Sequence, residues 1–275
     1  MDVDEIRKQW TSRRTNKQAS VDLWNSMAGG FGEFELPGFH DDSFLKLLDN
    51  HGMLDPAGSV LDVGCGAGKY AFAIAGRCRR VVATDLASQM IEIAQRRQAE
   101  LGIENVDLVC ADWHQLDLDR AGYRHQFDLV MAHLTPAVGD AETFEKLSAA
   151  STGWCVLSKP IRRTDPVSDA VKALVGITER RESSDTDLLY AFELLWRQGY
   201  LPRLDYERQS WKLRKTLDEA CGLYLNRIRT YRDISAAEED RIRAYLGSLL
   251  NDGFVREDIE TTVATLFWRV DRPAA

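Results

Sequence analysis

A chain of 275 residues with 44% hydrophobic and 28% charged side chains can bury one sizeable core but is short for two large ones, so one α/β core with an elaborated cap is expected. The formal net charge of −8 and a pI near 5.3 weigh against a nucleic-acid partner, whose phosphates call for a basic excess. No run of eighteen apolar residues exists to span a bilayer and the first residues lack a signal-peptide layout, while five cysteines without Cys-x-x-Cys or His-x-x-x-His spacing read as reduced thiols. The expectation is a cytoplasmic protein with no membrane partner and no metal.

Residues 1 to 57 precede the first predicted strand. The basic stretch from Arg7 to Lys17 reads as a solvated helix end. Trp10, Trp24, Phe31, Phe34 and Phe39 surround a glycine-rich segment, Ala28-Gly29-Gly30-Phe31-Gly32, read as a turn, and an amphipathic helix follows near Asp42 to His51. The aromatics either pack this extension onto the core or act as a lid, with Gly29 and Gly30 allowing movement and Trp24 and Phe31 closing over a ligand.

The run Val60-Leu61-Asp62-Val63-Gly64-Cys65-Gly66-Ala67-Gly68-Lys69-Tyr70 is the centre of the sequence. A β-branched strand reaches an acid, three glycines follow on alternate positions, and Tyr70 to Ala75 continues as a helix. Glycines let a ligand approach the loop backbone, and a helix N-terminus offers free N–H groups. A dinucleotide fingerprint needs a third glycine three residues after the second, and Lys69 stands there instead.

Arg80 to Asp85 is a second buried strand ending in an acid. Asp85 lies 23 positions after Asp62, one helix and one strand further on, where a carboxylate can accept two ribose hydroxyls. Ser88 to Leu101 is a helix with Met90, Ile91, Ala94 and Leu101 on one face, ended by Gly102. Val106 to Cys110 is a third strand, closed by Ala111-Asp112-Trp113. Phe127 to Ala132 is a fourth, followed by His133-Leu134-Thr135-Pro136. Open α/β sheets place ligands at such carboxyl edges, so His133 is a candidate general base on the premise that its imidazole titrates near neutrality.

A helix from Ala141 to Ala150 leads to a fifth strand, Gly153 to Ser158. Lys159, Arg162, Arg163, Arg180 and Arg181 then flank a helical pattern, and the arginines are candidates for a substrate carboxylate or phosphate. Leu188 to Trp196 is helical, Leu204 to Leu213 alternates like a strand, helices follow near Thr216 to Ile228 and Ala236 to Leu250, and Thr261 to Val270 is the last strand.

The glycine loop with its acid two positions ahead, Asp85, and Asp112-Trp113 together resemble the motifs of class I S-adenosylmethionine-dependent methyltransferases, of the small-molecule type. The resemblance covers about residues 55 to 160 through motifs and 185 to 270 through architecture. It implies a Rossmann-like seven-stranded sheet with helices on both faces, its last strand antiparallel between the fifth and sixth, plus N-terminal and inserted helical caps. The corresponding domains are 1–57 as extension or lid, 58–213 with 259–275 as the S-adenosylmethionine-binding core, and 214–258 as the substrate cap.

The resemblance further implies that Asp62 lies near the cofactor's amino acid moiety and that Asp112 meets the adenine amine, with Trp113 either stacked on the ring or packed at the surface. The implied cofactor set is Asp62, Gly64, Cys65, Gly66, Gly68, Asp85, Leu86, Met90, Asp112, Trp113, Ala132 and His133. Methyltransferases acting on base or glutamine amides usually carry Asn or Asp, then Pro-Pro and an aromatic, after the fourth strand; His133-Leu134-Thr135-Pro136 departs from that. A small-molecule methyl acceptor is expected, with the protein a monomer or homodimer. The competing readings are a non-catalytic S-adenosylmethionine-binding protein and a nicotinamide-dependent oxidoreductase.

Overall fold

The computed structural model describes residues 1–12, 16–31, 34–177 and 182–271. In chain order the elements are α1 (Val3–Gln9), α2 (Lys17–Phe31), α3 (Ser43–Asn50), β1 (Ser59–Val63), α4 (Lys69–Ala75), β2 (Arg80–Asp85), α5 (Ser88–Leu101), β3 (Val106–Cys110) and β4 (Phe127–His133). They continue with α6 (Ala141–Ala150), β5 (Ser151–Thr164), α7 (Pro166–Leu174), α8 (Glu182–Arg197), β6 (Arg203–Lys215), α9 (Leu217–Arg229), α10 (Ala236–Ser248) and β7 (Val255–Arg269).

Seven strands form one sheet in the order β3-β2-β1-β4-β5-β7-β6. The first five run parallel, with Leu61 of β1 opposite Val82 of β2 and Val130 of β4. β7 enters antiparallel between β5 and β6, as the resemblance implies, with Thr265 opposite both Ser158 and Asp205. All five residues of β1 are buried, which is what a strand covered on both faces demands. On one face α3 and α4 contribute Phe44, Leu45, Leu48, Phe72 and Ile74; on the other, α1, α6 and α8 contribute Ile6, Phe144, Leu147 and Leu194. No helix among the described residues is long and apolar enough to cross a membrane.

Local chemistry explains several boundaries. Asp42 caps α3 by accepting from the Leu45 N–H at 3.0 Å, and Gly102 ends α5 with φ of +64°. β5 runs past Ser158, where a strand was expected to stop, because Pro160 interrupts the pattern yet sits opposite Val263 in the finished ladder. β7 starts six residues before its predicted Thr261: the alternation there places Glu257 among inward-facing positions, and a buried acid hides the period. α8 begins before Leu188 because its first residues are polar.

One expectation is corrected outright. Ala28 to Phe31 is not a turn: α2 runs through it. Two glycines disfavour a helix interior, but α2 is held from both sides. Leu23 and Met27 join one apolar cluster with Val167 and Val171 of α7 and with α9 and α10, while Trp24 packs against Ala67, Ala87, Met90 and Ile93. The helix therefore lies across the glycine loop and ties it to the helices inserted between β6 and β7.

Trp10 shows the packing role of the extension. Its ring is buried, 5.2 Å from that of Phe144, and its indole donates to Asp187 Oδ1 at 3.0 Å.

Candidate functional site

The carboxyl ends of β1, β2, β3 and β4 converge on the loop from Gly64 to Gly68. Gly64 and Cys65 both donate their N–H groups to the Thr84 carbonyl, at 2.8 and 2.9 Å, which fixes the loop to β2. Its three glycines have φ of +73°, +56° and +85°. They serve different ends. A Cβ on Gly64 would lie 1.9 Å from Thr135 Oγ1, and one on Gly68 would lie 2.6 Å from the Phe72 ring, so these two make room for the protein itself. Gly66 alone faces open space. Within the protein itself, a side chain at Gly64 would first meet Thr135.

Asp85 closes the loop from β2. Its Oδ2 accepts from the Gly66 N–H at 2.8 Å and its Oδ1 from the Ala87 N–H at 2.9 Å, yet burial outweighs these bonds and raises its pKa. Asp62, at 3% exposure, is pushed up to about 7, first by burial and then by the Asp85 charge. Two acids sharing one desolvated corner form a site poised to welcome positive charge or hydrogen-bond donors. The Cys65 thiol beside them is raised for the same reasons, burial leading.

Leu86 and Met90 follow Asp85 as expected. The Leu86 carbonyl lies 3.8 Å from Cys110 Sγ, and Met90 is buried beside Ala67 and Ala87 under Trp24. Ala132 is fully buried at the end of β4.

At β3, Asp112 reaches the same edge but is already engaged. Lys17 of α2 stands 2.9 Å from Oδ2, and the His114 N–H donates to Oδ1 at 3.0 Å. Trp113 is corrected: neither stacked over an open site nor at the surface, it is 2% exposed in the core, donating to the Thr143 carbonyl at 2.9 Å. Lys146 takes the carbonyls of Trp113 and His114 at 3.0 and 2.8 Å.

His133 sits at the sheet edge but not as a neutral-pH base. Its ring lies 3.9 Å from Phe44 and 4.5 Å from Tyr70, and Nδ1 is 2.9 Å from Ser158 Oγ, which in turn meets Thr265 Oγ1 at 3.0 Å. Nε2 is buried without a partner. Burial, with a smaller contribution from Lys69, holds the pKa down to about 3, so the ring is neutral at physiological pH and the premise of titration near neutrality is corrected. The loop after it is held by Lys159, whose buried ammonium donates to the carbonyls of Val138 and Thr135.

The candidate arginines separate. Arg163 pairs with Asp165 at 3.0 Å and lies over the Trp211 ring. Arg162 is held by its backbone N–H on Asp185, and Arg180 and Arg181 lie outside the described residues. The Phe31 side chain lies outside them too, so the lid pairing with Trp24 is described on one side only.

Lys17, Phe44 and Tyr70 belong to this site without having been expected there, and Thr135, in the expected loop, meets Gly64. Tyr70 carried a signal in its place just after the glycine loop, and Thr135 in its place after the fourth strand. Lys17 and Thr135 meet their partners across 95 and 71 positions of sequence, which no local pattern encodes.

Comparisons with known proteins bear on the fold. Residues 60–150, from β1 to the end of α6, match a family model described as a methyltransferase domain. Among solved structures, the YcgJ protein of Bacillus subtilis is similar at 19% identity and a TM-score of 0.50, covering 81% of this chain and 96% of its own. A candidate methyltransferase of Bacillus halodurans is similar at 18% identity and a TM-score of 0.51, covering 84% and 100%. At these identities the likeness is one of fold. Residues 60–150 thus match a methyltransferase domain, and they lie within a seven-stranded sheet whose fold these structures share.

Proposed function

We propose that this methyltransferase passes the methyl group of S-adenosylmethionine to a small-molecule acceptor at the carboxyl edge of β4 and β5. The observation that carries the acceptor's size is the course of α2. From Lys17 on Asp112, through Trp24 over the glycine loop, to Leu23 and Met27 on the inserted helices, it covers the glycine-loop side of the sheet edge. A cover of this kind limits the water and the space beside the loop, which favours a small acceptor.

The residues present fit the cofactor. Gly66 leaves open the space that a side chain would fill, Asp85 would hold the ribose hydroxyls, and Asp62 would face the amino group. An adenine amine at Asp112 would compete with Lys17 for the same carboxylate. When bound, the cofactor supplies a sulfonium-activated methyl group that is already electrophilic. The protein's part is therefore alignment and exclusion of water. His133, neutral and wedged between Phe44 and Tyr70, would shape the acceptor's side of that edge rather than take its proton.

Asp62 makes this testable by pH. Its carboxyl ionises near 7 in the folded protein and near 3.8 when unfolded, so between about pH 4 and 7 the folded state holds the extra proton and stability falls as pH rises. A cationic amino group at Asp62 would expel that proton. Titration calorimetry with S-adenosylhomocysteine at pH 6, in buffers of different ionisation enthalpy, should show release approaching one proton, vanishing above pH 8. Asp62→Asn should show none, and should unfold at a higher temperature than the parent at pH 8. Buffer-independent heats would overturn the placement of Asp62.

Gly66→Ala separates binding from folding. With φ of +56° and open space around it, the change costs the fold about 1–2 kcal/mol, while S-adenosylhomocysteine affinity should fall by about tenfold or more. Unchanged affinity, or binding of NAD in its place, would sink the proposal. Product formation with a screened panel of small acceptors distinguishes an enzyme from a binding protein.

A further inference from the structure

The outward side of α8 carries an apolar seam that the methyltransferase reading does not use. Its inner side, Leu188, Ala191, Leu194 and Leu195, is buried in the core. Leu189 is 68% exposed and Trp196 60% exposed, with Phe192, partly buried against the core, between them at the i, i+3, i+7 spacing of a helix-pairing seam. The rings of Phe192 and Trp196 are stacked, 6.3 Å apart and 9° from parallel, and a groove runs beside them, lined also by Glu193 and Arg197. Leu201 and Tyr206, 60% and 58% exposed, follow on the connection to β6 and on that strand. Scattered apolar side chains are normal on a surface, but exposed apolar residues at helical spacing beside a stacked aromatic pair mark a contact.

We infer that this face binds a second copy of the chain, making a two-fold homodimer through α8. The charges on the seam's flank single out this occupant. Glu193 and Arg197 stand one turn apart, joined at 2.8 Å. In a two-fold interface residue i meets residue j and residue j meets residue i. An antiparallel crossing of two α8 helices midway between these residues sets each Glu193 beside the partner's Arg197, twice over, with the aromatic pairs packed between. A patch of one sign would repel its own copy.

The neighbouring edge of the sheet argues for helix pairing over strand pairing. β6 is the outermost strand and pairs only with β7 among the described residues, but it carries Arg203, Arg208, Lys212, Arg214 and Lys215. Basic side chains along an edge oppose strand-to-strand association.

Sedimentation velocity of the full chain from sub-micromolar to tens of micromolar tests the inference. The parent should sediment as a dimer at the upper end and Trp196→Glu as a monomer, with S-adenosylhomocysteine affinity unchanged as the control for folding. Glu193→Arg sets two arginines against two and should weaken association by about tenfold or more, while Glu193→Arg with Arg197→Glu restores the pattern and the dimer. A parent that stays monomeric throughout, a Trp196→Glu chain that still dimerises, or a monomer that instead co-sediments with phosphatidylglycerol vesicles would each overturn it.

Discussion

Gly64→Ala should cost this protein its fold. The added Cβ would lie 1.9 Å from Thr135 Oγ1 and 2.7 Å from Thr135 Cβ, at a φ of +73° that L side chains rarely adopt. Neither partner has room to retreat: Gly64 and Cys65 are pinned to the Thr84 carbonyl, and the Thr135 segment is anchored by buried Lys159. The left-handed conformation alone costs about 1–2 kcal/mol and overpacking a further 1–3 kcal/mol, a large part of the roughly 5–15 kcal/mol that separates a folded domain from its unfolded chain. Thermal unfolding followed by circular dichroism should show a midpoint lowered by many degrees or soluble protein lost altogether. Combining the change with Thr135→Gly should recover the overpacking share and leave the backbone share. Gly64→Ala as stable as the parent would show that the loop and the segment after β4 move apart freely.

Asp85→Ala should abolish cofactor binding while leaving most of the fold. Its carboxylate accepts from the backbone of Gly66 and Ala87, and under the proposed reading would also accept the ribose hydroxyls. Two hydrogen bonds to a charged group, at about 1.5–3 kcal/mol each, set the loss of S-adenosylhomocysteine affinity at roughly 10² to 10⁴-fold. Removing a desolvated acid relieves its burial cost and lowers the Asp62 pKa, because the Asp85 charge helps to raise it. Asp85→Asn, which keeps one acceptor, should bind more tightly than Asp85→Ala. Calorimetry of all three proteins decides the matter, and parent-like affinity in Asp85→Ala would place the ribose elsewhere.

The strands of the parallel half were legible because their sequences are apolar and β-branched, with β1 leading into Gly64 and β2 ending at Asp85. β2, β3 and α5 fall where their patterns place them. Errors gathered where tertiary packing overrides the local signal. The glycines of α2 read as a turn until the helix is seen held between the loop and the inserted helices. Trp113 followed a motif acid and so resembled a stacking residue, yet the Thr143 carbonyl and the core claim its indole. His133 stood at the right edge of the sheet, but its chemistry depends on Phe44 and Tyr70, which arrive from other elements.

By itself, the order of residues determined the class of fold, the position of the glycine loop and the acids at Asp62, Asp85 and Asp112. Those rest on hydrophobic period, on glycine's freedom at positive φ and on the rule that ligands gather at the carboxyl edge of a parallel sheet, all of which are local or topological. Only the tertiary structure decided which glycine leaves open space, which acid is forced to hold a proton, that Lys17 occupies Asp112 and that His133 stays neutral. Each of those depends on how much water and which distant side chain surrounds a group, and desolvation and contact exist only once the chain has closed on itself.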